Sequence, residues 1–290
     1  MPANQPIIFC ELSAETQRLI ADYVSSLKQI APLIGAHGMT EEDFWSSGLL
    51  QSAVERLRGT QSATTGKKRT FISDILTFMQ VQGVIAEWKF SGSGERHDYE
   101  VLMPSGWLCV IEAKGCLDGN NTNIFERPPN ADEFIIWSLC QNPGSDPRHN
   151  AWSGIHTRLS AEIIHRRQRV DGLIIWDMVC GTKGRICPKL VVNPSRATIM
   201  SDREVPPPCV YLFPRTIPDP RNNPQPKCWR LDEVKFLDAL MQTFKGDTDD
   251  VVEVRIEARM SSTSVERRTV YVRSDQEISQ SKWTKLKRAR

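Results

Sequence analysis

Apolar residues recur at helical spacing in the first third of the chain. Those that follow Ser13 predict a capped amphipathic helix; they are Leu19, Ile20, Tyr23, Val24, Leu27 and Ile30. Thr40 and Asp43, three residues apart, resemble a capping box. They predict a second helical region that is interrupted at Gly48 and reaches about Arg58.

Residues 59–69 are small, polar and basic, and this composition predicts a loop. The apolar residues after the loop share one face of a third predicted helix; they are Phe71, Ile72, Ile75, Leu76 and Met79. Gly83 predicts the end of that helix.

The pattern then changes to short apolar segments separated by turns. Segments 84–90, 98–103 and 107–114 predict a three-stranded meander. Residues 117–150 predict irregular chain, interrupted by the apolar stretch 132–140. A helix over 152–169 then leads into a buried strand over 170–180.

The C-terminal part begins with a proline-rich segment. Residues 206–226 contain eight prolines and are predicted to lack regular structure. A further amphipathic helix over 231–244 and a β-hairpin over 251–260 and 269–274 follow. The pattern divides the chain into an N-terminal helical region (1–70), an α/β core (71–205) and a C-terminal extension (206–290), with one compact domain as the alternative.

Composition narrows the class of protein. Hydrophobic residues make up 40% and charged residues 25% of the 290 residues, as in globular domains. No apolar run approaches the roughly 20 residues of a membrane span, and the N-terminus lacks the pattern of a signal peptide. The eight cysteines form no CxxC pair and no zinc-finger spacing, so neither a zinc site nor a disulfide framework is favoured. We expect a soluble cytoplasmic protein with no membrane partner.

Charge is unevenly distributed along the chain. Residues 1–145 carry 11 Lys/Arg and 17 Asp/Glu, whereas residues 146–290 carry 26 and 18. A basic half beside an acidic half suits a polyanionic partner handled by an acidic metal site. Solvated basic faces and a frayed basic tail are the alternative.

The segment 107–115 contains the main candidate for chemistry. Strand alternation puts Glu112 and Lys114 on one face with Leu108 and Val110. If residues 104–106 form a three-residue turn, Met103 pairs with Trp107, and Asp98 lies opposite Glu112 with Glu100 on the same face. Facing carboxylates repel unless a cation separates them, and their oxygens suit Mg²⁺. A lysine beside such a metal is typical of phosphoryl-transfer sites.

Asp98, Glu112, Ala113 and Lys114, on a hairpin between helices, resemble the PD-(D/E)xK nuclease superfamily, which includes most type II restriction endonucleases. The resemblance covers about residues 70–180. It implies an α/β restriction-endonuclease-like core with the order αβββαβ, a mixed central sheet flanked by helices, within the 71–205 region. His97 stands where many members have proline.

The resemblance also implies roles for individual residues. Asp98 and Glu112 would be metal ligands together with the Ala113 carbonyl, and Lys114 would be the catalytic lysine. Glu55 and Glu100 are candidates for an additional acid. The alternative for a Glu-x-Lys triplet by itself is a surface salt bridge.

Basic and amide side chains are candidates for contacts with DNA. They are Lys67, Lys68 and Arg69 in the predicted loop, Asn120, Asn121 and Asn123 after the strand that ends at Lys114, and Arg158, Arg166 and Arg167 on the helix over 152–169. An amphipathic helix with a solvated basic face is the alternative.

The expected function is a Mg²⁺-dependent, sequence-specific double-stranded DNA endonuclease of the type II restriction class, acting as a homodimer in the cytoplasm of a bacterium or archaeon. One or two Mg²⁺ ions per site are expected. The alternatives are a repair, recombination or other defence nuclease of the same fold, and a DNA-binding module without catalysis.

Overall fold

A computed structural model describes residues 14–33, 38–50, 52–53, 64–91, 97–115, 126–140, 152–182, 186–201, 203–262 and 264–286. Its helices are α1 (Ala14–Ile30), α2 (Glu41–Ser46), α3 (Thr65–Val81), α4 (Trp152–Arg166), α5 (Pro188–Val192) and α6 (Lys235–Thr243). Its strands are β1 (Glu87–Phe90), β2 (Tyr99–Leu102), β3 (Leu108–Gly115), β4 (Glu133–Cys140), β5 (Gly172–Asp177), β6 (Thr198–Met200), β7 (Arg203–Val205), β8 (Cys209–Leu212), β9 (Val251–Met260), β10 (Val265–Arg273), β11 (Gln276–Gln280) and β12 (Thr284–Lys285).

One mixed sheet dominates the fold. Its strand order is β1-β2-β3-β4-β5-β8-β9-β10-β11, with β12 paired to β10, and β6 and β7 form a separate hairpin. The β3, β4 and β5 strands are parallel, whereas β1, β2 and β3 form an antiparallel meander. The predicted mixed α/β class, with a sheet flanked by helices, is confirmed.

Helices cover both faces of this sheet. On one side, which we call the α3 face, α3 and α6 pack against Tyr99, Ile111 and Trp137. On the other side, the α4 face, Leu159 and Ile163 of α4 pack against the side chains of β3, β4 and β5. Each buried strand therefore supplies apolar side chains to two separate cores, as expected for a covered parallel sheet.

The N-terminal helices agree with the helical spacing of the sequence. In α2, the hydroxyl oxygen of Thr40 accepts a hydrogen bond from the Asp43 amide, so the predicted cap is confirmed. Helical structure after Gly48 is described only for 49–50 and 52–53, and Glu55 lies outside the described residues. Among the described helices, none has the length and apolar character needed to cross a membrane.

The first turn of α3 overturns part of the predicted 59–69 loop. Thr64 caps the helix by accepting a hydrogen bond from the Lys67 amide at 3.3 Å. Lys67, Lys68 and Arg69 are therefore helical, because a capping threonine outweighs the polar composition that predicted a loop. Gly83 adopts a φ of +71° just after the helix, as its predicted position at the end requires.

The largest correction concerns 132–140, which was predicted to interrupt irregular chain. Residues 133–140 form β4, which lies between β3 and β5 and is parallel to both. A strand buried on both faces shows a continuous apolar run without alternation, and periodicity alone does not distinguish such a run from a buried helical segment. The observed order α-β-β-β-β-α-β has one more strand than the expected αβββαβ core.

A second correction falls in the proline-rich segment. Residues 209–212 form β8, which pairs with β5 and with β9. Pro208 and Pro214 flank a short proline-free apolar window, and every β8 residue is buried. The sheet therefore continues across the predicted boundary at 205/206 into β9 and β10, which confirm the predicted C-terminal hairpin. The predicted boundary at 70/71 falls within α3.

Two buried carboxylates hold the edge of the sheet where β4 and β5 begin, which we call the amino edge. Glu133 accepts hydrogen bonds from the amides of Phe236 and Leu237 at the start of α6, at 2.9 and 3.2 Å. Asp171 accepts one from the Phe134 amide at 2.8 Å and one from the Trp229 indole at 3.0 Å, and it pairs with Arg127. These bonds fasten the C-terminal segment to the parallel strands.

The titration of Glu133 should be visible in the stability of the protein. Burial raises the pKa of Glu133 from its ordinary 4.5 to about 8. Between these values the folded chain binds one more proton than the unfolded chain, so the free energy of unfolding should fall as pH rises, by up to about 1.4 kcal/mol per unit. Urea unfolding between pH 5 and 8 should show a smaller fall in the free energy of unfolding for Glu133→Gln than for the wild type. Parallel curves for the two proteins would contradict this assignment, and Glu253→Gln, at a half-buried carboxylate paired with Arg255, is the control.

Candidate active site

The chemistry-bearing side chains predicted from the sequence lie where β3 ends. Because β3, β4 and β5 are parallel, their carboxyl ends share one edge of the sheet, the carboxyl edge. Ligands of open α/β sheets bind at such edges. Val110 belongs to the core on the α4 face, so strand alternation places Glu112 and Lys114 on that face as well.

Asp98 lies opposite Glu112, as the predicted turn requires. The pairs Tyr99–Ile111 and Glu100–Val110 give the expected register, and the Asp98 amide donates to the Ile111 carbonyl at 3.1 Å. The Asp98 side chain also reaches β3, because its Oδ2 accepts a hydrogen bond from the Ala113 amide at 2.7 Å. Asp98 is thereby tied to the segment that carries Glu112 and Lys114.

Glu112 and Lys114 form a largely buried ion pair. The Lys114 Nζ lies 2.6 Å from the Glu112 Oε1, and the two side chains are only 16% and 14% exposed. Burial raises the pKa of Glu112; Lys114 opposes this shift, and the charge of Asp98 adds to it. An ordinary surface pair with the same spacing occurs on β9, where Glu253 and Arg255 are 35% and 47% exposed. The burial of the β3 pair distinguishes it from that surface arrangement.

Glu100 shares the face of Asp98 but has other partners. Its two carboxylate oxygens lie 2.9 Å from the Lys89 Nζ and 2.9 Å from the His97 Nε2. Burial raises the pKa of Glu100, but Lys89 and His97 outweigh burial and hold this pKa below its ordinary value. Glu100 is therefore engaged in a local network beside the site.

The donor set of the site fits a hard divalent cation. The Asp98 Oδ1 and the Glu112 Oε2 have no hydrogen-bond partner within the described part of the chain. The Ala113 N–H points towards β2, and its carbonyl points to the same side. Two carboxylates and a carbonyl are oxygen ligands of the kind that Mg²⁺ takes. In the described ranges, no group of three or more His, Cys, Asp or Glu side chains is placed to hold a metal.

The structure brings the basic first turn of α3 to the same edge as the carboxylates. The Arg69 guanidinium lies 3.7 Å from the centre of the Phe90 ring, and Phe90 pairs with Tyr99 next to Asp98. Lys67 is exposed and has no ion-pair partner among the described residues. This turn lies on the α3 face, whereas Glu112 and Lys114 lie on the α4 face. Its basic side chains therefore approach the carboxylates around the edge of the sheet.

The other predicted DNA-contact residues are not brought to this edge or are not described. Arg166 ends α4 and Arg167 follows it; the helix runs back along the sheet to the start of β5 and spans about 20 Å. They therefore lie at the amino edge, where Arg166 pairs with Glu162. Asn120, Asn121, Asn123 and the side chain of Arg158 lie outside the described residues.

Two further residues lie beside the site, and the sequence analysis singled out the first but missed the second. His97 contacts Glu100 and has a second buried ring nitrogen, Nδ1, without a partner among described residues. Ser138 on β4 pairs in register with Lys114. The charged and turn residues that flank the apolar run 132–140 could have identified it as a strand, and this would have placed Ser138 beside Lys114.

Comparisons with models of known protein families, with curated proteins and with solved structures found no match.

The bond between Asp98 and Ala113 predicts different effects for two substitutions. Asp98→Asn retains an oxygen acceptor for the Ala113 amide, so the free energy of unfolding should stay near that of the wild type. Asp98→Ala leaves that amide unpaired and should lower the free energy of unfolding by about 1–3 kcal/mol. Urea unfolding measures both changes.

Asp132 offers a matched control at the other end of β3. Its Oδ2 accepts a hydrogen bond from the Leu108 amide at 2.9 Å. This bond is exposed, so Asp132→Ala should cost less stability than Asp98→Ala, and only the Asp98 variants should alter binding of a divalent cation. Equal cation binding by all of these variants would contradict the assignment of Asp98.

Proposed function

We propose that the chain is a Mg²⁺-dependent double-stranded DNA endonuclease of the type II restriction class. The observation that carries the proposal is the convergence of Asp98, Glu112 and Lys114 at the end of β3. Asp98 bonds the Ala113 amide, and Lys114 pairs with Glu112 in a largely buried position. Burying these charges costs desolvation energy, so a buried pair at this edge favours a functional role over a purely stabilising one.

Each residue has a distinct role in the proposed hydrolysis of a phosphodiester bond. Asp98, Glu112 and the Ala113 carbonyl would hold the cation, whose chemistry is to polarise a phosphate oxygen. The Lys114 ammonium would stabilise the negative charge that develops on the scissile phosphate. The first turn of α3 would contact neighbouring phosphates through Lys67 and its exposed helix terminus.

The proposal includes a homodimer that reads a palindromic site, because two-fold protein symmetry matches two-fold DNA symmetry. A repair, recombination or other defence nuclease would use the same three residues and would cut DNA without a fixed sequence. A DNA-binding module without catalysis would bind DNA and leave it intact. Sequencing the ends of fragments produced from phage DNA separates these three functions.

Removal of the Lys114 ammonium should abolish cleavage with little effect on DNA binding. Lys114→Ala should reduce the rate of plasmid nicking in Mg²⁺ by at least about 100-fold, because the charge is needed most in the transition state. DNA affinity measured in Ca²⁺ should change by only a few fold. Arg255→Ala on β9 removes the cation of the comparable surface pair and should leave nicking unchanged.

Two results would count against this assignment. Full nicking by Lys114→Ala would show that Lys114 is not catalytic. Undiminished nicking by the wild type in excess EDTA would show that the carboxylates serve no metal.

The position of Lys67 predicts a change in the salt dependence of DNA binding. Each neutralised phosphate contributes about −0.9 to the slope of log affinity against log salt, so Lys67→Ala should make the slope shallower by about one unit. Arg167→Ala is the matched control, because Arg167 is also exposed but lies at the amino edge. A change for Arg167 and none for Lys67 would place the DNA on the other edge.

A further inference from the structure

Ser138 lies beside the candidate catalytic lysine on the neighbouring strand. The parallel register pairs Ser138 with Lys114 on one side and with Ile175 on the other. Ile175 belongs to the core on the α4 face, so the three side chains share that face. Neighbouring strands are about 5 Å apart, which brings the Ser138 hydroxyl within reach of the Lys114 side chain.

The Ser138 hydroxyl is buried without a hydrogen bond. Its side chain is fully inaccessible, and its Oγ has no partner in the described ranges. The other fully buried serine on this side of the sheet, Ser160, pairs at 3.0 Å with the hydroxyl of Thr269. Unpaired buried hydroxyls destabilise a fold, and an alanine would avoid that cost. A serine at this position therefore needs a reason other than stability.

The Lys114 ammonium has N–H donors that Glu112 does not satisfy. In this structure the only side-chain acceptor of the Lys114 ammonium among the described residues is the Glu112 Oε1. An ammonium has three N–H donors, so two remain for other acceptors, and a cation bound at the free Glu112 Oε2 would share the charge of the carboxylate with the lysine. Ser138 supplies a neutral acceptor on the adjacent strand that does not compete for the cation.

We propose that Ser138 is a positioning residue that holds the Lys114 ammonium in the cation-loaded site. The inference rests on the proposed function, because it assumes that Glu112 is a metal ligand. The Ser138 Oγ accepts a hydrogen bond from the Lys114 Nζ and keeps the ammonium beside the scissile phosphate. Ser138 itself does not touch the reacting atoms.

Ser138→Ala and Ser138→Thr separate this role from a structural one. Ser138→Ala should lower kcat for plasmid nicking about tenfold with KM unchanged, because it affects only the placement of a transition-state group. Ser138→Thr keeps the hydroxyl and should restore most of the rate. The free energy of unfolding of Ser138→Ala should equal or exceed that of the wild type, since no hydrogen bond is lost.

Ser160→Ala is the matched control. It removes the partner of Thr269 and should lower stability while leaving kcat unchanged. Wild-type kcat in Ser138→Ala, or a loss of kcat that Ser138→Thr fails to restore, would overturn the inference.

A measurement without DNA cleavage distinguishes failure of this inference from failure of the proposed function. The ammonium signal of Lys114 can be followed by ¹H–¹⁵N NMR while Ca²⁺ alone is added. In the wild type, Ca²⁺ should shift this signal and leave it in slow exchange with water; in Ser138→Ala, exchange should become fast. If Ca²⁺ does not shift the signal at all, the metal site and the proposed function fail. If it shifts equally in both proteins and exchange stays slow, only the role of Ser138 fails.

Discussion

The turn between β2 and β3 sets the geometry on which the candidate site depends. Gly106 adopts a φ of +82°, a conformation that favours glycine, and its amide donates to the Met103 carbonyl. The Met103 amide in turn donates to the Trp107 carbonyl at 2.9 Å. A slip of one residue would move Glu112 and Lys114 to the opposite face, away from Asp98. The three-residue turn prevents such a slip, and so it decides which charges meet.

The two edges of the parallel strands differ in how their carboxylates are satisfied. At the amino edge, both oxygens of Glu133 and both oxygens of Asp171 accept hydrogen bonds from the surrounding chain. At the carboxyl edge, Asp98 and Glu112 each keep one oxygen without a partner among the described residues, and the Ser138 hydroxyl has none there. Satisfied groups hold the fold together, whereas unsatisfied ones have capacity left for a ligand. The contrast favours the carboxyl edge as the place of the proposed chemistry.

The network around Glu100 shows how the site separates neighbouring carboxylates. Glu100 and Asp98 share one strand face, yet Lys89 and His97 engage Glu100 while Asp98 reaches the Ala113 amide. Mutual repulsion among three acids is thereby reduced to that between Asp98 and Glu112, which contributes to the raised pKa of Glu112. A bound cation would relieve this remaining repulsion.

Local patterns in the sequence determined much of this protein. Helical spacing and the threonine cap predicted α1 and α2, and the turn residues with strand alternation predicted the register that sets Asp98 opposite Glu112. These features depend on residues close together in the chain, so periodicity and turn chemistry suffice to predict them. Only the tertiary structure decided that 133–140 and 209–212 are central strands, because a short apolar run without alternation does not specify which distant strands it pairs with. It also placed Lys67 at the carboxyl edge, together with Glu112, and Arg167 at the amino edge. The directions in which α3 and α4 cross the sheet depend on how distant strands pair, which local patterns do not specify.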